Sequence, residues 1–258
     1  MNKIHYIGIT GFMDEYEVDK ILPLFEHSDR KLMVGVLVSS RTYRGAPNTM
    51  TPNRYPFPIG KLKEIFSSNP NAFNVIHYCT DSERPSEIIQ EMIGIRSKCQ
   101  FRLHGFQLNM LWPDPINTVE VFKNLYPELQ LILQIGKKAF SNQSPETVAW
   151  RIAEYAESID YILFDPSGGG GTSFKSSEVV PYLRAIKEKN PDIGLAIAGG
   201  LSNKNIATQL GEIVQEFPDI SIDAEARLRD EHDFLSIEKA TEYVRKSLWL
   251  FAKDKVIH

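Results

Sequence analysis

Cysteine is nearly absent from this 258-residue chain: Cys79 and Cys99 are the only two. Two thiols give no disulfide framework and no metal-ligand spacing, so reduced thiols in the cytoplasm are expected. The six histidines are scattered, with no pair at the helical spacing of a zinc site. Excess positive charge is missing too. A net charge of −4 and a pI near 5.9 leave no electrostatic footprint for nucleic acid. No apolar run is long enough to cross a bilayer. The opening Met1-Asn-Lys-Ile-His-Tyr6 runs directly into a strand pattern, which excludes a signal peptide from the expectation. These absences describe a cytoplasmic protein without metal, cofactor, nucleic-acid or membrane partner. They leave its oligomeric state open.

What is present is a rhythm. Short apolar runs alternate with amphipathic stretches along the whole sequence. Strands are expected at residues 4–10, 32–39, 73–79, 100–103, 129–135, 159–164, 193–198 and 220–223. Periodic helical segments follow them, the clearest at 14–27, 86–97, 145–158, 178–189, 203–217 and 237–251. Strands apolar at consecutive positions are covered on both faces, which points to a parallel sheet with crossover helices. About eight such units in this length is the size of a (β/α)₈ TIM barrel, one domain over residues 1–258. The competing open doubly wound sheet would carry its glycine fingerprint after the first strand and an acidic residue after the second. Gly8 and Gly11 lack that spacing, and the acidic residue is missing. The segment 40–58 is too long for a simple connection and reads as a mobile loop without apolar anchors, covering a site.

In such a barrel the chemistry lies just past the strand ends. The run Tyr161-Ile-Leu-Phe164 ends on Asp165 and breaks into Gly168, Gly169, Gly170 and Gly171. Glycines let the backbone approach a ligand closely; the plain alternative is a flexible solvent loop. A second turn, Gly199-Gly200, precedes a helix that Ser202 or Asn203 can cap, a geometry suited to phosphate. Further strand-end candidates are Thr10, Asp14, Arg41, Arg44, Cys79, Asp81, His104, Gln134, Asp223 and Glu225. Each has an ordinary structural reading: Cys79 as a core residue, His104 as a turn, Gln134 as filling of a polar layer, the arginines as solvated charge.

Several of these stretches together resemble phosphoribosylanthranilate isomerase, a (β/α)₈ enzyme of tryptophan biosynthesis. Arg102-Leu-His-Gly105 resembles that family's Gln-Leu-His-Gly, and Asp165 with its glycine run resembles its Leu-Asp and Gly-Gly-Thr-Gly. Leu195-Ala-Ile-Ala-Gly-Gly-Leu201 is similar to Leu-Ala-Gly-Gly-Leu, Gly8-Ile-Thr10 to the end of Lys-Ile-Cys-Gly-Ile-Thr, and Ser39-Ser-Arg41 to Ser-Pro-Arg. The resemblance implies an Amadori rearrangement of a sugar phosphate, with Asp165 as general acid. It implies ligand contacts from Arg41, His104, Gly169, Gly170, Gly171, Gly199, Gly200, Asp223 and Arg227. Two departures stand out. The family's catalytic cysteine is replaced by Ile7, which accepts no proton. Its Asp-Val-Ser-Ser-Gly phosphate turn is Asp223-Ala-Glu-Ala-Arg227, where Glu225 repels a phosphate unless Arg227 offsets it. The expectation is a divergent isomerase-like barrel for a small sugar phosphate or related carbohydrate, without the family's own activity. The alternative is a barrel that binds a ligand without catalysis, as a sensor or partner protein.

Overall fold

The structure is a computed structural model that describes residues 3–80, 82–167 and 171–253. Eight parallel strands close into a barrel in sequence order. They are β1 (Tyr6–Thr10), β2 (Lys31–Ser39), β3 (Ala72–Cys79), β4 (Gly105–Asn109), β5 (Gln130–Gly136), β6 (Tyr161–Asp165), β7 (Gly194–Ile197) and β8 (Ser221–Ala224). Closure comes from β8 pairing with β1, which sets Gly8 beside Asp223. Helices cover the outside, among them Pro85–Cys99, Pro145–Ala153, Ser176–Lys189, Ile206–Glu216 and Ile237–Lys253. The (β/α)₈ barrel expected from the alternation is the fold. Among the described residues no helix is long and apolar enough to cross a membrane.

Strand periodicity of two sorts side chains into an outer and an inner set. The outer set, with Ile7, Ile9, Val34, Ile76, Phe106, Leu133, Phe164 and Ile222, packs against the helices. The inner set divides again along the barrel axis. Its lower part is apolar: Tyr6, Met33, Phe73, Val75, Ile132, Tyr161, Leu163 and Ala196 form a separate cluster. Tyr6 packs on Phe73 and Tyr161 at ring separations of 5.6 and 5.8 Å. The Tyr161 hydroxyl accepts from the Ile4 N–H at 2.6 Å and donates to the Ile4 carbonyl at 2.9 Å, so the plug's polar tip is satisfied. Its upper part is polar, and it is described below.

The one strand placed wrongly by sequence is the fourth. Helix Pro85–Cys99 runs two residues further than its pattern suggested, and Gln100 turns the chain at φ 57°. Residues 100–102 then form a short 3-10 turn, and β4 starts only at Gly105. His104 therefore sits at the amino-terminal end of β4, on the floor of the barrel. Its Nδ1 accepts the Asn74 N–H at 2.8 Å and its ring stacks on Phe73.

The 40–58 segment is anchored, contrary to expectation. Its helical turn Ser40–Tyr43 is closed by a reciprocal Ser39–Thr42 capping box. Tyr43 lies against the outer core, directly over Gly94, where a side chain has no room. The segment then crosses the barrel mouth to Arg54, which grips Asp233 in a bidentate pair and Glu225 at 2.9 Å. Asn53 adds a bond to the His232 carbonyl.

Candidate functional site

The upper inner layer consists of buried polar residues, one from each of six strands: Thr10, His77, Gln107, Gln134, Asp165 and Asp223. All but Thr10 line a single cleft at the carboxyl ends of the strands. Leu163, Ala198, Gly199, Gly200 and the 224–227 turn complete it, and its empty space is about 510 Å³ including the open mouth. The layer is a hydrogen-bonded network. Gln134 Nε2 donates to Asp165 Oδ2 at 3.0 Å, and Gln107 Nε2 donates to Gln134 Oε1 at 3.2 Å. Gln107 Nε2 also lies 3.2 Å from His77 Nδ1. Asp165 Oδ1 accepts the Ser167 hydroxyl at 2.6 Å and the Ser167 N–H at 3.0 Å. Across the cleft, Thr10 Oγ1 donates to the Asp223 carboxyl at 2.9 Å.

Burial dominates the electrostatics. Asp223 is pushed up to about 8, first by desolvation and then by the negative charges of Glu225 and Asp165; the bond from Thr10 and the nearby Gln107 amide oppose the rise. At neutral pH it is thus a carboxylic acid, not a carboxylate. His77 is held below its ordinary value by burial, so its imidazole is neutral, although Glu225 and Asp165 pull the other way. Glu225, at the rim, pairs with Arg54. Arg227 points elsewhere: it is exposed and donates to the Gly171 carbonyl at 2.7 Å. The cation that offsets Glu225 is therefore Arg54, from a loop 171 residues away in sequence, and not Arg227.

The glycines take distinct places. Gly199 and Gly200 have φ of 113° and 60°, in the left-handed region where a side chain is strained. Gly200 also packs flat on the carbonyls of Gly171 and Thr172; a Cβ there would lie 2.6 to 2.7 Å from them. The two glycine turns thus press against each other over Asp165. The Asn205 side chain, accepting from Ser202 N–H and donating to the Gly200 carbonyl, fixes the turn before helix Ile206–Glu216. Gly168, Gly169 and Gly170 lie outside the described residues.

Of the residues expected at the site, Asp165, Gly171, Gly199, Gly200, Asp223 and Arg227 share the cleft. Arg41 does not: it is exposed on the far side of β2 and donates to the Pro47 carbonyl. His104 is excluded by its place on the floor. Asp14 caps helix Glu15–Ile21 through the Glu17 N–H and is also outside the cleft. Ile7 belongs to the outer core, whereas a Cβ on Gly8 would meet Asp223 and Met33 inside the barrel. The inward positions of β1 towards the mouth are thus Gly8 and Thr10, not Ile7. Sequence reasoning missed His77, Gln107 and Asn109; it named Gln134 as a strand-end candidate, with filling of a polar layer as the alternative, and Gln134 lines the cleft within such a layer. The available signal was a polar residue two places before the end of β3, β4 and β5, in otherwise largely apolar strands; Asn109 is itself the last residue of β4.

No known family model matches this chain, and no curated protein matches it in sequence. Solved structures do. A phosphoribosyl anthranilate isomerase from Thermus thermophilus is similar at TM-score 0.63 and 16% identity, over 96% of this chain and 100% of that one. TrpF from Jonesia denitrificans gives 0.59 at 12% identity, over 95% and 98%. The catalytic domain of a hyperthermophilic chitinase from Pyrococcus furiosus also gives 0.59, at 11% identity over 98% and 97%. The resemblance to the isomerase is supported at the level of the fold. An isomerase and a chitinase fit this chain almost equally, so the reaction has to be argued from the cleft.

Proposed function

We propose that the cleft carries out proton transfer on a small carbohydrate, with Asp223 as proton donor and Asp165 as proton acceptor. The observation that carries this reading is the pair of buried carboxyl groups facing one cleft in unlike settings. Asp223 retains its proton at neutral pH because burial and neighbouring charge disfavour its anion. Asp165 has both oxygens turned to donors, from Ser167 and Gln134. The family resemblance gave Asp165 the acid's role; these environments support the opposite division.

The lining favours a polyhydroxylated ligand. Apart from Leu163, Leu201 and small residues, it offers carboxyl, amide, hydroxyl and imidazole groups, with Arg227, bonded to the Gly171 carbonyl, as its one cation among the described residues. A phosphate handle is less well served. Glu225 occupies the rim, and the Gly199-Gly200 turn is already packed by the 171–172 backbone. The family's own reaction is not expected, since the inward positions of β1 towards the mouth carry a glycine and a threonine, Gly8 and Thr10, and no cysteine.

The test is solvent-deuterium incorporation, followed by proton NMR, across reducing sugars and their phosphates. Exchange at the carbon beside the carbonyl is expected for at least one unphosphorylated sugar. Asp165→Asn should reduce it by roughly 10²–10⁴-fold with the fold intact. Thermal stabilisation by sugars without any exchange would replace this reading by that of a non-catalytic binder. Stabilisation reaches roughly 2.7 kcal/mol at one hundred times Kd.

A further inference from the structure

Two buried polar atoms in the cleft have no partner among the described residues: His77 Nε2 and Gln107 Oε1. Both residues are at least nine-tenths buried, at 5% and 0% exposure, and both line the cleft. Buried polar atoms left unpaired are costly and rare, so they mark places where a ligand group completes the pairing.

The network fixes what His77 presents. Asp165 Oδ1 accepts twice from Ser167, and its Oδ2 accepts the amide nitrogen of Gln134. Gln134 must then offer its oxygen to Gln107, and Gln107 must answer with its nitrogen. That same nitrogen faces His77 Nδ1, which is therefore an acceptor. The imidazole proton is left on Nε2. Two amides thus link Asp165 to the tautomer of a histidine three strands further round the barrel.

We infer that His77 is the ligand-facing hydrogen-bond donor of this cleft, with Gln107 and Gln134 as positioning residues, and that the ligand presents to it the carbonyl oxygen of an open-chain hydroxy-carbonyl compound, its neighbouring hydroxyl pairing with Gln107 Oε1. The inference rests on the reading of the mouth as the ligand site and narrows its substrate class. A neutral imidazole N–H polarises a carbonyl oxygen without delivering a full charge. Asp223 then supplies the proton to that oxygen while Asp165 takes one from the adjacent carbon. The proton balance is closed, and an enediol is formed.

The test is ¹⁵N NMR of the intact protein labelled at histidine, with a matched pair of probes, dihydroxyacetone and glycerol, which differ only in the central carbonyl. In the free protein, Nε2 should carry the proton and Nδ1 should not. Gln134→Leu, which cuts the relay, should mix the two tautomers and weaken the dihydroxyacetone response about tenfold; a merely structural glutamine would leave the tautomer unchanged. Dihydroxyacetone should shift Nε2, and glycerol should not. An Nδ1-protonated imidazole in the free protein overturns the inference. So does a ligand response at the Gly199 and Gly200 amides that leaves Nε2 unmoved, or equal shifts with both probes. No response anywhere at the mouth would overturn the ligand assignment together with the reading beneath it.

Discussion

The floor and the mouth of this barrel are built from the same inward-facing positions, two residues apart, and they are chemically opposite. Below, Tyr6, Phe73, Tyr161, Met33, Ile132 and Leu163 fill the cross-section with rings and aliphatic groups. Above, the next inward residues of the same strands are Gly8, Val75 followed by His77, Asp165 after Leu163, and Gln134 after Ile132. One step along a strand exchanges a stabilising layer for a reactive one. The comparison separates two kinds of burial. Apolar burial in the floor stabilises the fold by about 1.5–3 kcal/mol per large side chain. Burial of Asp223 and His77 in the mouth costs stability and changes which atoms hold protons.

The largest expected effect lies in the floor. Tyr161→Ala removes a plug with no exposed surface to collapse into, and should destabilise the fold by about 3–5 kcal/mol in denaturant unfolding. The matching change in the mouth, Asp165→Asn, should cost less than about 1 kcal/mol while abolishing proton transfer. Equal costs would mean that the two layers are not divided as described.

The pH dependence of stability should come from the mouth. The folded pKa of Asp223 lies at about 8, above its unfolded value near 4. The folded state therefore binds the extra proton between those values. Its contribution is complete below pH 4 and is lost as the pH rises through about 8. Glu17, pushed up to about 7 mainly by burial, adds a slope of the same sign. Unfolding followed from pH 4 to 9 should show stability falling by a few kcal/mol. Asp223→Asn should remove its share of that fall, which runs from about pH 4 to about 8, and leave the share of Glu17, which ends at about pH 7.

Smaller effects sharpen the picture. Gly200→Ala combines a left-handed backbone with contact against the 171–172 carbonyls, and should cost about 1–3 kcal/mol. Arg54→Ala frees the strap from Asp233 and Glu225; about 1 kcal/mol is expected, together with faster amide exchange in residues 48–56. Smallest is Ile7→Cys, which places a thiol in the outer core. It should cost about 1 kcal/mol and give no isomerase activity. A gain of activity would show that β1 can rotate its faces.

The barrel was legible because its strands are apolar on both faces and its helices strongly periodic, and seven strands fall within two residues of their expected bounds at nearly every end. Glycine turns and Asp165 were legible because strand-end carboxylates followed by glycines leave a local signal. What failed was register. The fourth strand was read early because Arg102-Leu-His-Gly105 looks like a strand end, while the true end, Gln107-Leu-Asn109, lies five residues later. An offset of this kind moved His104 from mouth to floor. Facing was lost at β1 although one mark was there: Thr10, the hydroxyl residue that ends the strand, shares its face with Gly8 and sets Ile7 outward. Partners distant in sequence, such as Arg54 with Glu225, leave no local trace at all.

The central claim is that the mouth holds one carboxyl group in its protonated form opposite a second that accepts hydrogen bonds. The most direct measurement is a ¹³C NMR titration of the Asp223 carboxyl between pH 3 and 10, assigned by its absence in Asp223→Asn. A midpoint near 8 is predicted. A midpoint in the ordinary carboxylate range, near 4, would mean that Asp223 is an anion at neutral pH and would contradict the account.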